Sequence, residues 1–158
     1  MTPKSAALQD QTEQVLEPSL EAYSTFVASL TLAAVDVVKI TAERRRSGHG
    51  PATKYALAAG WHAENSMILW RYDITAQLTD EEDTDFGTVE ASVVIAAQCS
   101  GDVDPACAER FGGTSGAFVA HPYLREAIAS TAQRLGFGGV LLPMLKDATA
   151  AAEGEGEQ

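Results

Sequence analysis

The sequence predicts an α+β subunit: a short N-terminal helix, a four-stranded antiparallel meander and a long helix after the last strand. Three observations carry that prediction. Apolar and polar residues alternate over Ile68–Thr79 and again from Gly87 to Cys99, the period of half-buried antiparallel strands. The stretches between about 31 and 99 are joined by short polar or glycine-rich links, as hairpins are. Beyond Asp104 the apolar period becomes helical. With 158 residues, 46% of them hydrophobic and 21% charged, the chain can build one core but not two domains of ordinary size.

The elements follow in order. Residues 1–16 are polar and poor in aromatics and read as a flexible arm; the folded domain spans 17–146. Pro18, an early acid at Glu21, and Leu20, Tyr23, Phe26 or Val27 and Leu30 at helical spacing place a helix over Ser19–Leu30. A run rich in Val and Ile places strand one at about 31–45. Gly48, Gly50 and Pro51 end it. Strand two alternates Tyr55, Leu57, Ala59 and Trp61 with Ala56, Ala58, Gly60 and His62. Strand three puts Ile68, Trp70, Tyr72, Ile74, Ala76 and Leu78 on one face. A loop of five acids (Asp80, Glu81, Glu82, Asp83, Asp85) leads into strand four, with Val89, Ala91, Val93, Ile95 and Ala97 on one side. Asp104 before Pro105 starts a helical stretch that Gly112, Gly113 and Gly116 interrupt. A second stretch, with Leu124, Ile128, Thr131 and Leu135 on one stripe, runs to Leu135; Pro122 opens or kinks it. Gly136, Gly138 and Gly139 stop it. Val140–Leu145 is a short apolar segment, and 147–158 reads as an acidic, disordered tail.

Charge and composition exclude several function classes. Acids outnumber bases 22 to 11, a net charge of −11. A nucleic-acid surface needs clustered cations, and anionic lipid repels an acidic chain, so neither is an expected partner. No apolar run reaches the roughly 18 residues of a membrane span. Met1–Asp10 lacks a basic-then-apolar leader, and two cysteines make no disulfide framework. The expectation is a soluble, cytoplasmic protein.

Candidate chemistry is sparse. The glycines at 112, 113 and 116 match neither phosphate-cradling spacing and read as permitting tight turns. His49, His62 and His121 fit no zinc spacing, and nothing in the sequence pairs Cys99 or Cys107 with a histidine. The acidic loop lacks calcium-loop spacing. Arg44, Arg45 and Arg46 read as solvated charges at a strand end. No catalytic residue, metal or cofactor is expected, and the chain is not read as an enzyme. What stands out is apolar surface: a four-stranded sheet has two faces, and modest helices cover only part of them.

The segment His121-Pro-Tyr-Leu-Arg-Glu126, within Ala117–Leu135, resembles the Phe-Pro-Tyr-Ala-Arg-Glu helix signature of the export chaperone SecB. The element order agrees, and Tyr23–Arg45 is similar to the opening of divergent SecB-like proteins. The resemblance spans about 20–146. It implies a SecB-like fold that assembles as a homotetramer, a dimer of dimers. It also implies ATP-independent holding of unfolded polypeptides in apolar grooves. In the family, outward acids on strand one dock SecA; here Lys39 falls near one such place and Glu43 retains another. The second long helix of the family is shortened, since residues 136–146 are glycine-rich.

That resemblance sets the expected sites. Client contacts are expected at Trp61, Trp70, Tyr72, Phe118, Leu141, Leu142 and Met144. Tyr123, Leu124, Ile128 and Leu135 are expected at the oligomer interface. Pro122, Tyr123, Arg125 and Glu126 form the motif, with Arg125 and Glu126 fixing the helix through charge-assisted hydrogen bonds. The leading function is a holdase for unfolded or disordered clients, preproteins or an antitoxin. The alternatives are a dedicated chaperone of one antitoxin or phage protein and, behind it, a small-molecule binder using the sheet as a pocket.

Overall fold

The structure, a computed structural model, describes residues 17–48 and 52–144. The expectations for the 1–16 arm, for His49 and for the 147–158 tail lie outside the described residues. Helix α1 (Leu20–Ser29) begins at Ser19, whose hydroxyl accepts the Ala22 N–H at 3.1 Å, a side-chain cap of an otherwise orphaned donor. It passes directly into β1 (Leu30–Arg44). Then come β2 (Ala52–Glu64), β3 (Met67–Thr79) and β4 (Asp85–Cys99). Helix α2 (Pro105–Phe111), a π-helical stretch (Gly112–Gly116) and α3 (Ala117–Arg134) follow without a break.

All four strands are antiparallel, in the order β1-β4-β3-β2. The expected meander holds for β2 to β4. β1 does not sit beside β2; it joins the far side, against β4, which gives a Greek-key order. The reason lies in β4. Its apolar row is buried along the whole strand, so β4 is a central strand that needs a neighbour on each side. The β2–β3 turn is two residues, Asn65 and Ser66, both at positive φ (48° and 66°), which matches the twist of a tight hairpin. In the β3–β4 loop the Asp80 carboxylate accepts the Glu82 and Thr84 N–H groups at 2.9 and 2.8 Å. These bonds make the acidic cluster a self-capped turn.

One face of the sheet carries the core. Ile68, Trp70, Tyr72, Ile74, Ala76 and Leu78 of β3 and Val89, Ala91, Val93, Ile95 and Ala97 of β4 are buried on the face that carries α2 and α3. The helices answer mostly with small residues: Ala108, Ala120, Ala127 and Ala132, with Leu124 and Ile128 between them. Small residues bring the helix close, and each fully buried Ile or Leu then adds about 1.5–3 kcal/mol.

The glycines that read as an interruption do something else. All of 112–116 stays helical, and two of its glycines permit close approach. A Cβ on Gly112 would stand 2.9 Å from Trp70 Cδ1, and one on Gly116 would collide with the Tyr72 hydroxyl. The backbone there lies directly on the two aromatic side chains. Pro122 lies inside α3 and has no N–H to offer the preceding turn.

Arg44 also differs from its reading as a solvated edge charge. From the end of β1 its guanidinium donates to the Leu135 carbonyl, just past α3, and lies 5.0 Å from the Phe137 ring centre. It caps the negative end of the helix.

Candidate functional site

α3 lies chiefly over β4, the strand next to one edge, and leaves both edge strands partly bare. On β1 the helix-facing side chains Val37 and Ile40 are 43% and 49% exposed. On β2, Tyr55 and Leu57 are 37% and 49% exposed. Two grooves flank α3. The first, about 370 Å³, runs between Val37 and Ile40 of β1 and Pro122, Tyr123, Glu126 and Ala127 of α3. The second, about 300 Å³, lies on the opposite flank of the same helix turn, between His121, Pro122, Arg125 and Ala129 and the later residues Leu141 and Met144. Phe118 and Val119 extend the exposed apolar surface one turn earlier. Apolar side chains gathered on both flanks of one helix mark an interaction surface more than a catalytic pocket.

The expected client residues divide. Phe118, Leu141 and Met144 are exposed. Trp61 is half-buried, and its indole N–H donates to Glu109 Oε2 at 2.6 Å. Trp70 and Tyr72 are each 1% exposed, so they are core and offer a client nothing. The Trp70 indole N–H donates to the Ala108 carbonyl at 2.9 Å and the Tyr72 hydroxyl to the Gly112 carbonyl at 2.8 Å. Burial pushes the Tyr72 phenol well above its ordinary pKa, so it stays a neutral donor. Trp70 also packs on Phe111, ring centres 4.5 Å apart. Leu142 is buried as well.

The expected interface residues divide in the same way. Tyr123 is exposed, and Leu135 is partly covered by the core. Leu124 and Ile128 are sealed inside their own subunit and cannot be interface contacts. In the motif, Pro122 and Tyr123 line grooves as exposed residues. The charge-assisted bonds expected of Arg125 and Glu126 are not formed among the described residues. Arg125 Nη1 lies 3.2 Å from the Met144 sulfur, and the Glu126 carboxylate stands at the rim of both grooves.

Sequence reasoning missed Val37, Ile40, Tyr55 and Leu57 as surface. The alternation of Tyr55 and Leu57 was legible, and Val37 and Ile40 read only as part of a β-branched run. The signal for their exposure is strand order, since only edge strands leave that face half covered.

The remaining polar features are structural. A cavity of about 530 Å³ lies between α1 and the loop before α2, with Glu21, Asp102 and Asp104 on its walls. Cys107 at its floor is buried, and burial together with Asp104 pushes its thiol pKa up, the opposite of an activated nucleophile. His62 is exposed on the outer sheet face. Among the described residues no group of three or more His, Cys, Asp or Glu is placed to hold a metal ion, and no helix is long and apolar enough to cross a membrane.

No protein family and no curated protein matches the sequence. Solved structures do. The SecB-like chaperone Rv1957 of Mycobacterium tuberculosis, solved in complex with a ChAD peptide from the HigA1 antitoxin, superposes with a TM-score of 0.70. The match covers 76% of this chain and 93% of that one, at 16% identity. This chain has the SecB-like fold. The short first helix, the four antiparallel strands and the long helix bearing the Pro122–Glu126 motif are the elements the sequence resemblance implied. At that identity the likeness is one of backbone architecture, and the grooves beside α3 are this chain's own.

Proposed function

We propose that this chain is a chaperone that holds unfolded or disordered polypeptide segments, without ATP, in the apolar surface flanking α3. The observation that carries the reading is the bare helix-facing side of both edge strands, with Val37 and Ile40 on one flank and Tyr55 and Leu57 on the other. Extended apolar segments can lie along such edges, where a compact ligand would find no enclosure. A net charge of −11 keeps loaded particles apart in solution. The SecB-like neighbour, in complex with a peptide, supports a polypeptide ligand.

On this reading the two flanks divide the work. The β1 flank, with Tyr123, forms the contact between subunits of a homotetramer. The β2 flank, with Tyr55, Leu57 and Phe118 around the segment that carries Leu141 and Met144, takes the client. SecA docking through outward acids of β1 is disfavoured, because Lys39 pairs with Glu90 at 3.0 Å and Glu43 with Arg45 at 2.9 Å. A second reading, a chaperone dedicated to one antitoxin, is favoured by the antitoxin peptide on the neighbour.

The test is to unfold a test protein by reduction and follow its aggregation with the chain present at equal molarity. Delay of aggregation is expected, together with a native mass near four times 16.7 kDa. No delay, combined with a monomeric mass, overturns the chaperone reading. Protection of one antitoxin alone replaces the general reading by the dedicated one.

A further inference from the structure

The segment after α3 is held differently from the rest of the fold. The N–H groups of Gly136 and Phe137 still bond to α3 carbonyls, at 2.9 Å each. From 138 to 144 no backbone group bonds to another backbone group among the described residues. Phe137, Val140 and Leu142 are buried, while Leu141 and Met144 face out. Two side chains reach over to it: the Tyr55 hydroxyl donates to the Leu141 carbonyl at 2.7 Å, and Arg125 meets the Met144 sulfur. The segment therefore crosses the client flank from the foot of α3 to β2 and back along α3.

Its root is built to move. Gly136 and Gly139 sit at φ of +87° and +80°, a backbone region that glycine enters freely, and Gly138 has open space around it. Apolar anchors without a backbone ladder make a segment of low local stability. A short apolar stretch held by its buried side chains and one bond from Tyr55 occupies the flank as a client segment would.

We propose that residues 137–144 are an internal occupant of the client groove, displaced by an incoming apolar segment of unfolded polypeptide. This deepens the chaperone reading and rests on it. Displacement links the two states: the apparent dissociation constant is the intrinsic one divided by the fraction of chains with the segment released. An empty groove stays covered and the apolar bed is shown only to a competitor.

The test uses the full-length chain and two probes. One is a fluorescein-labelled peptide of the chain's own sequence 137–144, the other reduced, carboxymethylated α-lactalbumin. Leu142→Ser and Val140→Ser remove buried anchors of the occupant. Each is expected to bind both probes at least about fivefold more tightly than the unmodified chain, because the released fraction rises. In the unmodified chain, hydrogen exchange at 138–144 is expected to speed up when α-lactalbumin saturates it. That measurement stands even if a substituted chain fails to fold. If the unmodified chain binds α-lactalbumin but the substituted chains bind no tighter, and exchange at 138–144 is unchanged or slower, the segment is a fixed groove wall and the proposal falls alone. If no chain binds either probe, the chaperone reading falls and takes the proposal with it.

Discussion

The two edge strands both leave their helix-facing side partly bare, yet they are finished in opposite ways. β1 pairs with β4 through two register shifts, between Leu32 and Ala34 and between Val37 and Lys39. It is pinned along its length by Lys39 to Glu90, Arg45 to Asp85 and Arg44 to the end of α3. β2 pairs with β3 in unbroken register from Ala52 to Glu64, and one helix-side neighbour that reaches it, residues 138–144, has no backbone–backbone bonds among the described residues. Bulges bend an edge and re-aim its side chains. A bent, pinned edge suits a permanent and shape-specific contact, while a flat edge under a loosely held cover suits an occupant that comes and goes. The same core supports both.

The comparison breaks most sharply under a buried charge. Ile40→Asp places a carboxylate in the β1 flank and Leu57→Asp places one in the β2 flank. If the flanks differ as argued, Ile40→Asp lowers the native mass, because an unpaired charge buried at a contact costs about 3–5 kcal/mol. Client binding per subunit survives. Leu57→Asp should leave the mass unchanged and weaken client binding about 10- to 100-fold, the scale of losing a binding anchor. Mass photometry and fluorescence anisotropy on both variants decide the matter. Equal effects on both measurements would mean one continuous surface.

A smaller effect tests the platform under both flanks. Gly116→Ala drives a methyl into the Tyr72 hydroxyl, and overpacking of that kind costs about 1–3 kcal/mol. Thermal denaturation should show a lower Tm, with assembly and client binding reduced together, because both grooves hang on the seating of one helix. A loss confined to one flank would show that the flanks are seated independently.

How far the sequence reaches can be judged from these same residues. α1, β3 and β4 were legible to within a residue or two, because capping and a period of two are local properties. The place of β1 against β4 was not, since strand order is a non-local choice among pairings that satisfy the same alternation. Trp70 and Tyr72 were legible as a bulky row, with core as the alternative to the client contacts expected of them. Their burial depends on 112–116 remaining helical and lying on them, and three glycines in five residues argue locally for a break. Phe118, Leu141 and Met144, expected as client contacts, are exposed in the fold. Val37, Ile40, Tyr55 and Leu57 were seen as strand residues, and only the strand order shows them to be bare.

The finest difference between the edges lies on the outer face of the sheet and is sensitive to pH. Across β1, β4 and β3, Glu90 accepts from Lys39 and Thr41, both at 3.0 Å, while Asp73 accepts from Ser92 and, at 2.9 Å, from Arg71. Lys39 and Thr41 hold the Glu90 carboxyl below its usual range. Partial burial alone would raise Asp73, but the Ser92 hydroxyl and the Arg71 guanidinium outweigh it and hold it low. A carboxyl depressed in the folded state lends stability above its ordinary pKa and loses it as pH falls through the depressed value. Acidification below about pH 4 should therefore loosen the β1–β4 pairing first, while the β2–β3 pairing, outside this network, holds. Hydrogen exchange at pH 3 should be faster in β1 than in β2 relative to pH 7, and Glu90→Gln together with Asp73→Asn should flatten that dependence. Equal acid loosening of both edges would show that the pinning of β1 resides in its backbone ladder and not in these carboxylates.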